Sequence, residues 1–406
     1  MQPNARARIL RISFYAGLIL LVVPGVLRAY LLSPPGGSQD LDLLPLAYYA
    51  FTIHPFAVAS GLLLLLPHII MTIRTKEQRL RVGLIFLCVA LLGFNYFLAV
   101  KLGAANTFRE VQKKVFATAA ENRVATQSIV IGVEHNGVAK AYPITILGLH
   151  YRLADTVGGT PVLATYSLLC RTGRVYATTL DGVVQAFDLV GMQHYNGVLA
   201  DHATRSWWYQ ATGQAVMGPR AGRQLQEMFS EQMTLAAWIA RHPNTLVLQP
   251  DSSSANFYKE LSGFAHARTA DRDASGRVVR WQDFGWVVGL VAGGTPRAYD
   301  WNDLLEHRVL NDQPGGVPVV IALEPDTTNF HAWKRLAPDA AHEFLPDSAG
   351  RGMRDRGTNS LWDWTGACIE GACLGQHLEA LAARQEYWLA WRTFNRGTTQ
   401  WAPAAK

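Results

Sequence analysis

Three apolar runs, Ile9–Leu32, Leu46–Ile73 and Val82–Leu102, fix the first quarter of the chain. Each reaches the roughly 20 residues that carry a helix across about 30 Å of hydrocarbon. Inside lipid the backbone must satisfy its own polar groups, so such runs fold as helices. Composition agrees. Charged residues make up 17% of the 406-residue chain, below the usual quarter of soluble domains. The first run is too long for the core of a cleavable signal peptide and lacks a small-residue cleavage site. Arg28 and Tyr30 stand near its end, where a long side chain can reach the interface.

Basic residues orient the helices. Arg6, Arg8 and Arg11 precede the first run, and Arg74, Lys76, Arg79 and Arg81 follow the second. The loop between them, Ser33–Pro45, has no Lys or Arg and holds Asp40 and Asp42. This predicts a multi-pass protein of the inner (cytoplasmic) membrane. The N-terminus is cytoplasmic, and everything from about Gly103 lies on the periplasmic or extracellular side. Lys101, Arg109, Lys113 and Lys114 pull mildly the other way.

The remainder repeats itself, and a repeat decides the fold. Asp201, Thr204, Ser206, Trp208, Gly213, Gly218, Gly222 and Leu225 recur as Asp355, Thr358, Ser360, Trp362, Gly366, Gly371, Gly375 and Leu378, with Ala211 extra in the first stretch. Upstream, SIVIGVEHNGVAKAYPITIL reads as a β-hairpin turning at Asn136-Gly137. Its counterpart, WVVGLVAGGTPRAYDWNDLL, turns at Gly293-Gly294. His150 and Asp155 match His307 and Asp312 at an offset of 157 residues, which falls to 154 at Asp201 and 153 after Ala211. Thr234 can cap a short helix, LAAWIARH. The expected fold is therefore three transmembrane α-helices followed by an α+β, β-rich extracytoplasmic region. That region is built from two tandem related repeats with pseudo-twofold symmetry. The boundaries are 1–103 for the helices, 104–124 for a linker helix, 125–250 for the first repeat, 251–280 for a linker and 281–401 for the second repeat.

The segments VIGVEHNGVAKAYPITILGLHYRLADTVGGTPVLATYSLLC and DHATRSWWYQATGQAVMGPRAGRQL resemble the bacterial and archaeal family known as domain of unknown function number 3179. The resemblance covers roughly Ala120–Leu248 and, more weakly, the second repeat. It implies a fold and little about activity. That family's usual strand end reads Cys-Pro-Leu-Cys. Here Ser167-Leu168-Leu169-Cys170 stands in its place, so one of the two thiols is missing.

Residues shared by both repeats read as structural. The Trp208 and Trp362 pair fills cores, Asp201 and Asp355 pin turns, and His150 and His307 hydrogen-bond a neighbour. Residues in one repeat only are the better candidates for function. Cys170 falls opposite Thr327, and Met192 and His194 have no counterpart. A thiolate, a thioether and an imidazole together suit copper. Cys368 and Cys373 also occur once, and in an oxidising compartment they can form a disulfide. In the second apolar run His54 and His68 lie 14 residues apart, on one helix face and roughly 21 Å apart along it. That spacing resembles the histidine pairs of cytochrome b-type helices and makes both candidates for binding haem b, with a homodimer supplying second ligands. The bland alternative is that they hydrogen-bond neighbouring helices. No P-loop, G-x-S-x-G or His-Glu-x-x-His motif is present. No basic stripe points to nucleic acid.

Three readings remain open. The first is a membrane-anchored extracytoplasmic binding or redox module, copper-dependent if Cys170, Met192 and His194 meet. The second is a haem-linked electron-transfer protein with a redox partner. The third is a hydrolase or ligand-binding protein whose pocket lies between the repeats.

Overall fold

The structure, a computed structural model, describes residues 3–33, 37–74, 77–98, 108, 111, 113–261, 263, 271–273, 275–336 and 343–403. The chain divides into two compact units. One contains the N-terminal helices with residues 186–209 and 214–223, and the other contains most of the remainder.

In the first unit α1 (Pro3–Leu32), α2 (Leu44–Arg74) and α3 (Gln78–Tyr96) are helices long and apolar enough to cross a membrane. The expected third run extends to Leu102, and its last residues, from Ala99, lie outside the described ones. Helices α1 and α2 cross at Gly17 and Gly61. A Cβ on Gly17 would sit 3.0 Å from the Gly61 carbonyl oxygen, and one on Gly61 would sit 2.9 Å from that of Gly17. Small residues at such crossings let backbones meet where lipid offers no hydrophobic drive.

The outer elements follow in chain order. They are β1 (Phe116–Thr118), β2 (Ile129–His135), β3 (Val138–Pro143), α4 (Ile144–His150), β4 (Arg152–Val157), β5 (Thr160–Ser167), β6 (Thr172–Ala177), β7 (Thr179–Leu180), β8 (Val183–Val184), β9 (Phe187–Gln193), β10 (Asn196–Asp201), β11 (Trp207–Tyr209), β12 (Ala215–Met217), β13 (Glu231–Thr234), α5 (Leu235–Arg241), β14 (Leu246–Leu248) and α6 (Ala255–Glu260). Then come β15 (Trp286–Ala292), β16 (Thr295–Asp300), α7 (Trp301–His307), β17 (Val309–Asp312), β18 (Val319–Leu323), β19 (Phe330–Lys334), β20 (Phe344–Pro346), β21 (Gly352–Asp355), β22 (Leu361–Asp363), β23 (Cys368–Glu370), β24 (Glu379–Ala380), β25 (Ala383–Tyr387), α8 (Trp388–Phe394) and β26 (Thr399–Gln400).

Strands β9–β12 form a sheet that belongs to the helical unit. Val198, Ala200 and Trp207 on one face pack with Leu31 and Leu32 at the end of α1 and with Leu44 and Ala47 at the start of α2. The Trp207 ring meets Tyr48 and Phe51 edge-on, with centroids 5.1 and 5.5 Å away. Gly191 is required there, because a Cβ would lie 2.5 Å from the Leu32 Cβ. The interhelical loop is fastened to the same sheet. Gln39 Nε2 donates to the Met192 carbonyl at 3.1 Å, Gln39 Oε1 accepts from the Tyr195 N–H at 3.0 Å, and Gln193 donates to the Leu41 carbonyl.

The second unit holds the other sheets. β1-β14-β3-β2-β13 is five-stranded, and β25-β15-β16-β26 is four-stranded. Of the expected linker helix, 104–124, residues 104–107, 109, 110 and 112 lie outside the described ones. Within the rest Phe116–Thr118 form β1, pairing antiparallel with β14, so their backbone bonds go to a partner strand. The hairpin turns fall at Asn136-Gly137 and Gly293-Gly294, all four residues having positive φ. Thr234 caps α5, its hydroxyl accepting from the Ala237 N–H. Beneath that helix Gly132 lies flat against Trp238, where a Cβ would come within 2.3 Å of the ring; Gly289 lies against Trp391 at 2.2 Å. The two indole N–H groups donate to Thr245 and Thr398 at 2.8 and 2.7 Å.

Overpacking of this kind costs about 1–3 kcal/mol. Gly132→Ala is therefore expected to lower Tm measurably in detergent. Gly159→Asn, at positive φ but with nothing within 4 Å, should lower Tm less, since asparagine tolerates that conformation better than most residues. Equal Tm values for Gly132→Ala and wild type would contradict the packing.

Candidate functional site

Chemistry in the second unit concentrates where strands from the two chain halves meet. β6 and β25 bring Arg174 to Glu386. The guanidinium donates from Nη2 to Glu386 Oε1 at 3.0 Å, from Nε to the Ala211 carbonyl at 3.0 Å, and from Nη1 to the Gly173 carbonyl at 2.8 Å. Glu386 Oε2 accepts from the Thr172 hydroxyl at 2.6 Å. The side chains are 4% and 1% exposed. Glu227 lies 3.6 Å from Arg174 and 2.6 Å from Arg384, so charges alternate along the row. Burial alone would push the Arg174 guanidinium down, but the Glu386 and Glu227 charges outweigh it and hold it above its ordinary value. Each member of the pair is hydrogen-bonded, which a buried pair needs if attraction is to offset desolvation.

Around the pair the β5–β6 turn places several candidate groups. The Cys170 carbonyl accepts from the Tyr387 N–H at 3.0 Å. Arg171 has φ 55°, a conformation L-residues rarely adopt, and its guanidinium lies 4.1 Å over the Trp286 ring. The fully buried Tyr166 hydroxyl has no hydrogen-bond partner among the described residues. Burial pushes that phenol up, while the Arg171 charge acts in the opposite direction.

A second network joins β13, α5 and β19. The Thr234 N–H donates to Asn329 Oδ1 at 2.7 Å, and Gln232 donates to Gln385 at 3.1 Å. Arg241 donates to Glu231 at 2.8 Å and to the Trp364 carbonyl, and its Nη2 lies 3.2 Å from both ring nitrogens of His331. His331 Nε2 is 2.6 Å from Glu324 Oε1, and the ring lies between Trp333 and Trp364. Burial pushes the His331 imidazole down. The hydrogen bond to Glu324 opposes this, and the Arg241 charge adds to it. A cavity of about 20 Å³ beside His331 has room for one water.

The sequence candidates distribute differently. His54 Nε2 faces Asn95 Oδ1 at 3.2 Å, and His68 Nε2 faces the Leu10 carbonyl at 2.8 Å and the Ser13 hydroxyl at 3.3 Å. Both imidazoles thus tie helices together. That is the hydrogen-bonding reading of the two histidines, with Nε2 of each engaged by a neighbouring helix. Cys170 belongs to the second unit and Met192 and His194 to the first, so neither unit by itself holds the three copper candidates. His194 and Tyr195, with φ 51° and 59°, form the tight turn between β9 and β10. Cys368 and Cys373 are separate thiols. Cys368 donates to the Glu370 carbonyl at 3.5 Å, and Cys373 Sγ lies 3.7 Å from the Thr358 hydroxyl. Burial pushes the Cys368 thiol up, away from the reactive thiolate.

The residues read as structural are placed as such. Asp201 accepts from the Thr204 N–H at 2.7 Å and from Trp208 Nε1 at 2.9 Å. Asp355 does the same with Thr358 and Trp362 at 2.6 and 3.2 Å. His150 bonds the Tyr258 hydroxyl at 2.7 Å. Among the described residues Asp303, Glu306 and His307 could in principle gather a cation, but Arg280 already pairs with both carboxylates.

Sequence reading missed Arg174, Glu386, Arg241 and His331. A signal for two of them existed. Arg174 and His331 stand at the same offset of 157 residues that relates the hairpins, and their chemistry differs.

Two outcomes test these networks. Arg174→Met strands Glu386 and should cost about 3–5 kcal/mol in a denaturant titration, with Arg174→Met/Glu386→Leu recovering much of it. If the double variant is no better than the single one, the pair is not coupled as described. Because folding lowers the His331 value, its contribution to stability is fully present above the ordinary imidazole value of about 6.5. That contribution is lost as pH falls toward the folded value. Tm should therefore drop more steeply below that pH in wild type than in His331→Gln, and parallel curves would contradict the assignment.

A family model described as "Protein of unknown function (DUF3179)" matches residues 107–398. No curated protein and no solved structure matches the chain.

Proposed function

The chain belongs to the DUF3179 family, whose description assigns no activity, and from its own geometry we propose a membrane-anchored extracytoplasmic binding module. One observation carries this reading. The β9–β12 sheet is seated on the end of α1 and the start of α2. That is the end joined by the loop without Lys or Arg, opposite the ends marked by Arg8, Arg11 and Arg74. Positively charged loops stay in the cytoplasm, so the seated sheet belongs outside. Among the described residues no further helix of spanning length follows α3, which keeps the β-rich region on that same side.

Binding is favoured over haem-linked electron transfer because Nε2 of both membrane histidines is committed to a neighbouring helix. We also read the β-rich region as two related copies. Lys140 and Tyr142 bond Asp155 as Arg297 and Tyr299 bond Asp312. The Gly132–Trp238–Thr245 set has its parallel in Gly289, Trp391 and Thr398. A duplicated scaffold frees one copy to diverge, and the charged networks at Arg174 and His331 are where the two stretches differ.

Orientation is tested by single cysteines in a background without the four native ones. Ser252→Cys should react with a membrane-impermeant maleimide in intact cells, and Gln78→Cys only after lysis. The reverse pattern would overturn the proposal.

A further inference from the structure

A cleft of about 400 Å³ opens between the β2–β3 turn and the segment that leads from α5 into β14. Its size falls within the range of small-ligand pockets, roughly 300–1,000 Å³. Glu134 and Val138 line one wall; Arg241, His242, Asn244 and Leu246 line the other. The polar groups are held in place. Glu134 Oε1 accepts from the Gly137 N–H at 2.9 Å. The His242 ring lies against Trp238 with centroids 4.0 Å apart. Arg241 is anchored by Glu231 and the Trp364 carbonyl.

The charge balance indicates what would bind. Arg241 already has Glu231 as counter-ion at 2.8 Å. Burial pushes the His242 imidazole down, against the pull of the Glu231 and Glu134 charges. Glu134 is exposed and has no ion-pair partner among the described residues. One fixed, uncompensated carboxylate therefore faces a cleft with apolar flanks. At the repeat offsets the matching positions are Val291, Phe394 and Asn395, so this chemistry occurs once. A cleft that held only the fold would have no need to differ in this way.

We propose that this cleft binds a small organic ammonium ion. Glu134 is its counter-ion, His242 and Asn244 are hydrogen-bonding groups, and Val138 and Leu246 take a short aliphatic portion. The inference deepens the binding reading by naming a ligand class. Its test uses solubilised protein, so its failure would leave the orientation result standing.

Saturation-transfer difference NMR on the full-length chain in detergent, with n-butylammonium as probe and butyrate as control, decides it. A saturable signal is expected for butylammonium and none for butyrate. Glu134→Gln keeps the acceptor for the Gly137 N–H and removes the charge, so folding should survive. Loss of a charge-assisted hydrogen bond, about 1.5–3 kcal/mol, predicts binding weaker by at least about tenfold. An absent butylammonium signal, an equal signal from butyrate, or unchanged affinity in Glu134→Gln would overturn the proposal.

Discussion

The structure of the anchored unit depends on one apolar contact, the face of the β9–β12 sheet against the ends of α1 and α2. Val198, Ala200 and Trp207 bury themselves on Leu31, Leu32, Leu44 and Ala47. A membrane helix ends where lipid ends, and its last apolar turn then faces water unless something covers it. Here a sheet covers it. The helix ends thereby serve as part of the core for strands that lie 140 and more residues downstream of Ala47. Gln39 and Gln193 donate to the Ser33 and Leu41 carbonyls of the loop, which such a contact would otherwise leave unpaired.

Within the second unit apolar clusters form the core, and a buried ion pair selects which strands meet. Two strands from distant parts of the chain are held by Arg174 and Glu386, almost wholly buried. Such a pair adds little net stability when complete and costs much when broken. It therefore specifies which strands meet more than it strengthens their meeting. The network at His331 and Arg241 likewise joins β13, α5 and β19, with Arg241 paired to Glu231 and His331 hydrogen-bonded to Glu324.

How much of this the sequence revealed depended on range. The three helices followed from run length, and the hairpin turns at Asn136-Gly137 and Gly293-Gly294 followed from the positive φ those residues accept. The caps at Asp201, Asp355 and Thr234 were equally local. At His194-Tyr195 the metal reading was preferred to a loop, although histidine accepts positive φ more readily than most residues and both residues adopt it. β1 was misread as helix because three residues cannot declare a period of two, and its partner β14 lies about 130 residues away. Arg174 and Glu386 are 212 residues apart, and no local pattern couples them. Cys170 was grouped with Met192 and His194 because each occurs in one repeat only and because their ligand types suit copper, and Cys170 lies in one unit while the other two lie in the other.

The seating of the sheet on the helix ends can be measured directly. Tyr48→Cys and Trp207→Cys, in a background without native cysteines, would put thiols on two positions whose rings meet with centroids 5.1 Å apart. Treatment with a short thiol-to-thiol crosslinker in native membranes, followed by cleavage between the two positions and a denaturing gel, reports the link. Rapid intramolecular crosslinking at low protein density is the predicted result. Two fragments that separate freely after treatment would mean that the sheet does not rest on the helices.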